Sequence, residues 1–328
     1  MSLSIAAVTL VSWVMPSSVG AVVYTYWQAG TSNWSTGSSW TNGEPYHGFG
    51  TNGAGAYVNN GGTVQITNTG ERCYFLNLGQ YSGDSGYVSM SAGDLYSATS
   101  TYVGCYGNGW FTQTGGTNTV EDHFYVGDWS GSNGTYELKG GDFSAQWESV
   151  GRYGTGKFIQ TGGTNTADWD LILGDESGSN GAYEISGGNL AVNWIFKVDT
   201  HGTFTVKGDD PVITVNNNYL QYGALQSHLD SGGISTISVG NLAAFYAGGT
   251  WDVVDLGGAP LGAFDILTAD GGISGAPGTV NLPGPGWDWE IVSGAGNSET
   301  LRLTHVPEPA SLSLLILGGL ALMRRRRP

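Results

Sequence analysis

The chain has 328 residues, of which 56 are glycine and only 12% are charged. Its 27 acidic and 11 basic residues give a formal net charge of −16. This balance argues against a nucleic-acid partner, since binding to phosphate backbones depends on Lys and Arg. The 12 Trp, 17 Tyr and 10 Phe supply material for a core and exclude a disordered glycine-rich linker.

The chain opens with an apolar segment, residues 1–15. Val19 and Ala21 then match the small-residue pattern that precedes a signal-peptidase cut. We therefore predict that residues 1–21 are a signal peptide with cleavage at Ala21. No Lys or Arg precedes the apolar segment, so a buried strand is the alternative interpretation and the true start codon stays open.

The segment 22–60 carries three tryptophans, Trp27, Trp34 and Trp40. It precedes a region of internal repeats, whose first coil would otherwise present unpaired strand edges. We predict that 22–60 is an N-terminal cap.

A repeat of 47 residues covers the middle of the chain. Residues 127–141 recur at 174–188, and residues 103–119 recur at 150–166. Each repeat splits into two nearly equal halves, which five regularly placed glycines mark: Gly79, Gly104, Gly127, Gly151 and Gly174. Half a repeat is the length of one β-helix coil with three short strands and three turns. We predict that residues 61–204 form a β-solenoid.

Short stretches of the repeat alternate apolar and polar residues, which is typical of half-buried strands. In 134–140 this alternation places Tyr136 and Leu138 on one face. Phe111 and Phe158 are equivalent by the repeat and are predicted to stack two coils apart.

The predicted fold class is therefore all-β, a right-handed parallel β-helix with coils of about 24 residues, followed by a C-terminal apolar helix. A β-propeller is the alternative, because its blades span about 40–45 residues, although a blade does not divide into equal halves. Residues 205–305 read as divergent coils and a C-terminal cap, with strands at 212–215, 233–239, 250–254 and 300–303.

The last segment, 306–328, joins three features in order. Pro307, Glu308 and Pro309 come first, an apolar stretch at 311–323 follows, and the end is basic, with Arg324, Arg325, Arg326 and Arg327. The apolar stretch is shorter than the roughly 20 residues of a full membrane span. The arginines would stay cytoplasmic, so the tail predicts a transient inner-membrane anchor. An amphipathic helix is the alternative, but the stretch lacks a polar face.

These tail residues resemble the PEP-CTERM sorting signal. The resemblance implies recognition by an exosortase, removal of the tail, and release or attachment at the surface of a bacterium that makes exopolysaccharide. The body resembles the autotransporter-type β-helix repeat proteins that carry such tails in planctomycetes and related bacteria. That second resemblance implies a fold and a location at the cell surface or in the extracellular matrix.

Three patterns are candidates for chemistry. Asp168 and Asp170 would share a face within one strand, and a glycosidase needs two carboxyls about 5 Å or about 6.5–9.5 Å apart. No equally convincing partner base lies nearby, and Glu121–His123 occupies the same repeat offset. A solvated coil corner explains both, so no catalytic residue is assigned. The loops 127–134 and 174–181 contain oxygen ligands for a possible structural calcium, although Asp and Asn are also common turn residues. We predict no cofactor and no metal ligand.

Thr117-Asn118-Thr119 and Thr164-Asn165-Thr166 resemble the Thr-x-Thr triplets of ice-binding solenoids. They recur only every second coil, and Val192-Asn193-Trp194 is predicted to break the row. Two cysteines, Cys73 and Cys105, either pair or stay as buried thiols. Five tryptophans of the repeat either face inward or lie exposed, where they could stack on sugars: Trp110, Trp129, Trp147, Trp169 and Trp194.

The sequence as a whole predicts an exported structural or adhesive protein, sorted by an exosortase and associated with exopolysaccharide through many weak contacts. We expect it not to be an enzyme. The alternative is a polysaccharide lyase or hydrolase on the same scaffold, and an ice-binding protein is a remote third.

Overall fold

The computed structural model describes residues 22–46 and 53–306. Apart from one 3-10 helix, Gly37–Ser39, its regular elements are strands. Most strands alternate buried and partly exposed residues, as Asn133–Leu138 does with Tyr136 and Leu138 inside. This confirms the predicted period of two.

The strands follow in chain order. The first fifteen are β1 (Val23–Tyr26), β2 (Thr31–Asn33), β3 (Ala54–Val58), β4 (Asn60–Ile66), β5 (Glu71–Cys73), β6 (Phe75–Leu78), β7 (Ser85–Met90), β8 (Asp94–Ser97), β9 (Thr101–Val103), β10 (Asn108–Gln113), β11 (Thr117–Val126), β12 (Asn133–Leu138), β13 (Asp142–Val150), β14 (Thr155–Ala167) and β15 (Leu171–Leu173). The others are β16 (Asn180–Val192), β17 (Ile195–Val198), β18 (Gly202–Lys207), β19 (Val212–Val215), β20 (Asn218–Gln221), β21 (Ala224–Leu229), β22 (Ile237–Val239), β23 (Ala243–Phe245), β24 (Thr250–Asp255), β25 (Gly262–Ala269), β26 (Ile273–Ser274), β27 (Thr279–Asn281), β28 (Trp287–Ser293) and β29 (Glu299–His305).

These strands form three parallel sheets that wind around one core. Sheet 1 runs from β1 through β3, β6 and β9 to β26, sheet 2 from β2 through β4, β7 and β10 to β27, and sheet 3 from β5 and β8 to β25. Four long strands, β11, β13, β14 and β16, bend at a corner and serve two sheets each. The protein is therefore a parallel β-solenoid, and the propeller alternative is wrong.

The register explains why the repeat has 47 residues rather than 24. Phe111 pairs with Tyr136 in the next coil, and Tyr136 pairs with Phe158 in the coil after that. The first of these steps along the chain is longer than the second, so a long coil and a short coil make one repeat. The two differ mainly in the turn between sheets 1 and 2, because the turn from Val126 to Asn133 is longer than the turn from Val150 to Thr155.

Inside sheet 2 the aromatic residues form one continuous column. Tyr136 lies between Phe111 and Phe158, with ring centroids 4.9 Å from each, and Tyr183 stacks on Phe158 at 4.5 Å. The repeat alone paired Phe111 with Phe158 two coils apart. The structure confirms that spacing and fills the intervening place with tyrosine.

A buried polar network accompanies each tyrosine of this column. The Tyr136 hydroxyl donates to Gln113 Oε1 and accepts a hydrogen bond from Asn118 Nδ2 at 3.2 Å. Gln160, Asn165 and Tyr183 repeat the arrangement one repeat later. Each network joins a glutamine and an asparagine of one coil to a tyrosine of the next. Tyrosine alternates with phenylalanine along the column, so the network recurs every second coil.

Glycine at the corner between sheets 1 and 2 is required by the backbone. Gly127 has φ of 71°, a conformation that side chains rarely adopt. A Cβ at this position would also lie 2.2 Å from the carbonyl oxygen of Thr155 in the next coil. The regular glycine spacing therefore marks a corner at which the next coil lies too close for a side chain.

The two ends of the described solenoid differ from its middle. Near the start, Trp27, Trp34 and Trp40 are buried and pack edge to face at 4.9 and 5.1 Å. At the other end, β25, β29 and β28 form an antiparallel sheet. Strands predicted at 212–215, 250–254 and 300–303 are confirmed as β19, β24 and β29, while β22 covers only the end of the predicted 233–239.

Candidate functional site

Parallel, in-register coils bring equivalent residues to within about 4.8 Å of each other, so aromatic residues at the corners stack into rows. The first corner row lies between sheets 3 and 1 and consists of His123, Trp147, Trp169 and Trp194. Its ring centroids are 4.8, 5.8 and 6.4 Å apart, and Trp194 is tilted 56° from Trp169. Trp169 and Trp194 are each 48% exposed.

The second corner row lies between sheets 1 and 2 and consists of Tyr106, Trp129 and Tyr153. Its ring centroids are 5.1 and 5.8 Å apart. Arg152 lies over the Tyr153 ring at 5.2 Å and over Tyr125 of sheet 1 at 5.1 Å. The two rows therefore border the outer surface of sheet 1, which carries further tyrosines.

The structure decides the orientation of the five tryptophans that the sequence left open. None of them is buried, since Trp129, Trp169 and Trp194 are exposed and Trp110 and Trp147 are half-buried. Trp110 stacks on Tyr87 on the outer surface of sheet 2, away from both corner rows. Exposed rings of this size present apolar area to a partner.

The acidic candidates lie at the same corner as the first corner row, which confirms the predicted coil corner. Asp168 Oδ1 accepts a hydrogen bond from Asn193 Nδ2 at 3.3 Å, and Asp170 Oδ1 accepts one from the backbone N–H of Ile195 at 3.1 Å. Asp122 contacts His123 at 2.7 Å. Burial raises the pKa of Asp170. Asp168 and Asp170 thus each accept a hydrogen bond from the next coil.

A carboxyl group that the sequence did not single out lies inside the solenoid. Glu148 is 1% exposed and stands between Phe124 and Leu171 in the inward column of sheet 1. Asn165 Nδ2 donates to its Oε2 at 3.0 Å, and Oε1 has no hydrogen-bond partner among the described residues. Burial raises the pKa of Glu148 to about 8. Glu148 lies two residues before the buried Val150, so the period of two would have indicated an inward position for it.

Of the two loops considered for calcium, 127–134 forms an ion pair with Arg152 of the next coil. Asp128 is buried and accepts a hydrogen bond from Arg152 at 3.3 Å. Among residues 22–46 and 53–306, no three His, Cys, Asp or Glu side chains cluster closely enough to hold a metal ion. Cys73 and Cys105 are both buried free thiols in the described structure.

The Thr-x-Thr triplets face outward with their threonines, while Asn118 and Asn165 are buried. Asp142–Ser144 of the intervening coil lies between them in register. The residues paired with the second triplet are Asn189–Ala191, so the expected pairing with Val192–Trp194 is wrong. Asn189 follows Thr164 by one long coil, whereas Val192 lies three residues further along the chain, at the end of the same strand.

The processing residues lie outside the described part of the chain. This holds for the predicted cleavage position Ala21, for the apolar tail helix, and for the sorting residues Pro307, Glu308, Pro309 and Arg324–Arg327. Within the described ranges, no helix has the length and apolar character needed to cross a bilayer.

Comparison with known proteins identifies one segment. The family model described as the PEP-CTERM protein-sorting motif matches residues 305–327. No curated protein and no solved structure matches the chain. The motif implies exosortase-dependent sorting of an exported protein that is processed at the membrane. The chain is thus a parallel β-solenoid that carries a PEP-CTERM sorting motif at its C-terminal end.

Proposed function

We propose that the sorted protein is a structural and adhesive component of the cell surface or extracellular matrix, and that it holds exopolysaccharide without cleaving it. The observation that carries this proposal is the first corner row, in which Trp169 and Trp194 expose about half of their surface. Aromatic rings supply apolar contact area for sugar rings. Rows along a rigid solenoid allow many weak contacts to act together.

The charge of the protein favours a neutral polymer. The chain carries −16 overall, and four of its 11 basic residues, Arg324–Arg327, lie in the tail. An acidic body repels uronate-rich or sulfated polymers at low ionic strength. We therefore expect binding to a neutral polysaccharide that changes little with salt.

The test uses the exported protein, mixed with exopolysaccharide of the producing organism. Co-sedimentation and polymer size are measured together. The triple variant Trp147→Ala, Trp169→Ala and Trp194→Ala should weaken co-sedimentation by about tenfold or more, because it removes the ring surfaces.

The matched control removes a similar exposed apolar area elsewhere, with Val212→Ala, Leu256→Ala and Leu261→Ala. This control should bind as the wild type does. Shortening of the polymer would contradict the proposal, and the enzyme alternative would then start with Asp168 and Asp170. Equal loss of binding in both variants would show that the first corner row has no special role.

A further inference from the structure

A gap interrupts the outward tyrosine column of sheet 1. In register, this column runs Tyr26, Tyr57, Asn77, Tyr102 and Tyr125. Tyr26 stacks on Tyr57 with ring centroids 4.9 Å apart, and Tyr125 stacks on Tyr102 at 5.3 Å. Each stack covers one face of its inner ring. The opposite faces of Tyr57 and Tyr102 therefore turn towards the coil of Asn77, whose side chain is too short to fill the space.

The neighbouring column leaves the same coil open. The ring of Phe75 leans back over Gly55 of the preceding coil, where an added Cβ would lie 2.2 Å from Phe75 Cζ. Phe75 therefore joins Tyr57 in one wall, and its ring centroid lies 5.2 Å from that of Tyr57. Trp129 of the second corner row also lines the resulting slot, whose cavity volume is about 280 Å³.

The floor of the slot is polar and incompletely bonded. Asn77 is 6% exposed, and its Oδ1 has no hydrogen-bond partner in the described structure. A buried polar atom without a partner is unfavourable, and a ligand hydroxyl that reached it would supply the missing hydrogen bond. The Asn77 side chain also hydrogen-bonds Cys105. One end of the amide is therefore engaged, and the other is left for a ligand as an acceptor or, after rotation of the amide, as a donor.

The dimensions favour a puckered ring over a flat one. Two coils separate Tyr57 from Tyr102, a distance of about 9.6 Å at 4.8 Å per coil. Carbon atoms in contact lie about 3.5–4.0 Å apart, so a flat ring between the two tyrosines would occupy only about 7–8 Å. The remaining space suits the thickness of a chair-shaped sugar. None of the described residues that line the slot is charged.

We propose that this slot, between Tyr57 and Tyr102 and above Asn77, binds one pyranose ring of a neutral hexose. The inference rests on the proposed function in that it names the saccharide class and adds a defined subsite to the corner rows. The tyrosines contact the two faces of the sugar, and the Asn77 amide hydrogen-bonds one of its hydroxyl groups.

The test is Asn77→Tyr, which completes the column and fills the slot. Tyrosine already occupies the equivalent places before and after it, so this variant should fold and keep the corner rows. Glucose, galactose and mannose are titrated separately into the exported protein and followed by ligand-observed NMR and calorimetry. We expect at least one hexose to bind with a Kd of about 1–10 mM, and Asn77→Tyr to weaken that binding by about tenfold or more.

Ile172→Tyr is the matched control, because Ile172 is half-buried and lies two coils after Tyr125 in the same column, outside the slot. It should leave hexose binding unchanged. Asn77→Ala keeps the slot open and removes only the amide, so it should weaken binding less than Asn77→Tyr does, and it serves as the second variant if Asn77→Tyr does not fold. Glucuronate and indole are the charged and flat comparison ligands.

Failure of all three hexoses to bind, undiminished binding by Asn77→Tyr, or a preference for indole would overturn the proposal. These outcomes are separable from failure of the proposed function, which is read from polymer co-sedimentation of the same variants. If the polymer still sediments with the wild type while no hexose binds, the slot proposal fails. The proposed function then stands, with the corner rows as the contact surface for the polymer.

Discussion

Replacing Glu148 with Gln is expected to stabilise the protein by about 3–5 kcal/mol at pH 8 and to have little effect at pH 4. Burial raises the pKa of this carboxyl from 4.5 to about 8. Well below pH 4.5 the Glu148 carboxyl is protonated in both the folded and the unfolded chain, so its ionisation does not change the free energy of unfolding. Between pH 4.5 and 8 folding requires uptake of a proton, and the free energy of unfolding falls as the pH rises.

The measurement is urea unfolding of wild type and Glu148→Gln at pH 4, 6 and 8, comparing the difference between the two proteins. That difference removes the contribution of Glu71, whose pKa burial also raises to about 8. Glu121→Gln, at an exposed position, is the control and should follow the wild type at each pH. A Glu148→Gln protein less stable than the wild type at pH 8 would mean that the buried carboxylate has a favourable partner.

Tyr136→Phe is expected to destabilise the solenoid by about 1–3 kcal/mol, because it leaves polar groups of Gln113 and Asn118 buried without their partner. The network is fully enclosed, so water cannot replace the lost hydroxyl. Thermal and urea unfolding at one pH are sufficient to measure the effect. Tyr106→Phe, which removes an exposed hydroxyl, should change stability by less than about 0.5 kcal/mol.

A triple variant separates the hydrogen bonds from the packing. The preceding coil holds Met90 and Leu95 at the places of Gln113 and Asn118. Combining Gln113→Met and Asn118→Leu with Tyr136→Phe removes the three side chains of the network, but it also takes the Gln113 Nε2 donor from the backbone carbonyls of Gly116 and Asp142. Stability should therefore recover only part of the loss seen in Tyr136→Phe. A triple variant less stable than Tyr136→Phe would show that these two bonds to the backbone contribute more than the unpaired side-chain groups cost.

Much of the fold could be predicted from local features of the sequence. The glycines at the corners require a positive φ wherever they stand, as Gly127 does. Alternation within one short strand settles which side chains of Asn133–Leu138 point inward. The sorting motif is also a contiguous pattern, so residues 305–327 are sufficient to identify it.

The candidate sites depend on neighbours that are distant in sequence. Tyr26, Tyr57, Asn77, Tyr102 and Tyr125 follow one another at unequal intervals, so no fixed period reveals them as one column. The carboxyl of Glu148 is buried because Phe124 and Leu171 lie above and below it. Trp169 faces outward because its corner turns away from the core.

The coil length follows from copies of one pattern along the chain. The inward and outward faces of the regular strands and the sorting motif follow from residues that are close together in sequence. The amino-acid sequence alone is therefore sufficient to establish all three. Which side chains meet across coils is a property of the folded chain. Turns of unequal length shift the register from coil to coil, and hydrogen bonding between parallel strands then selects the partners. The slot at Asn77, the buried Glu148 and the exposed tryptophan row all arise from that selection.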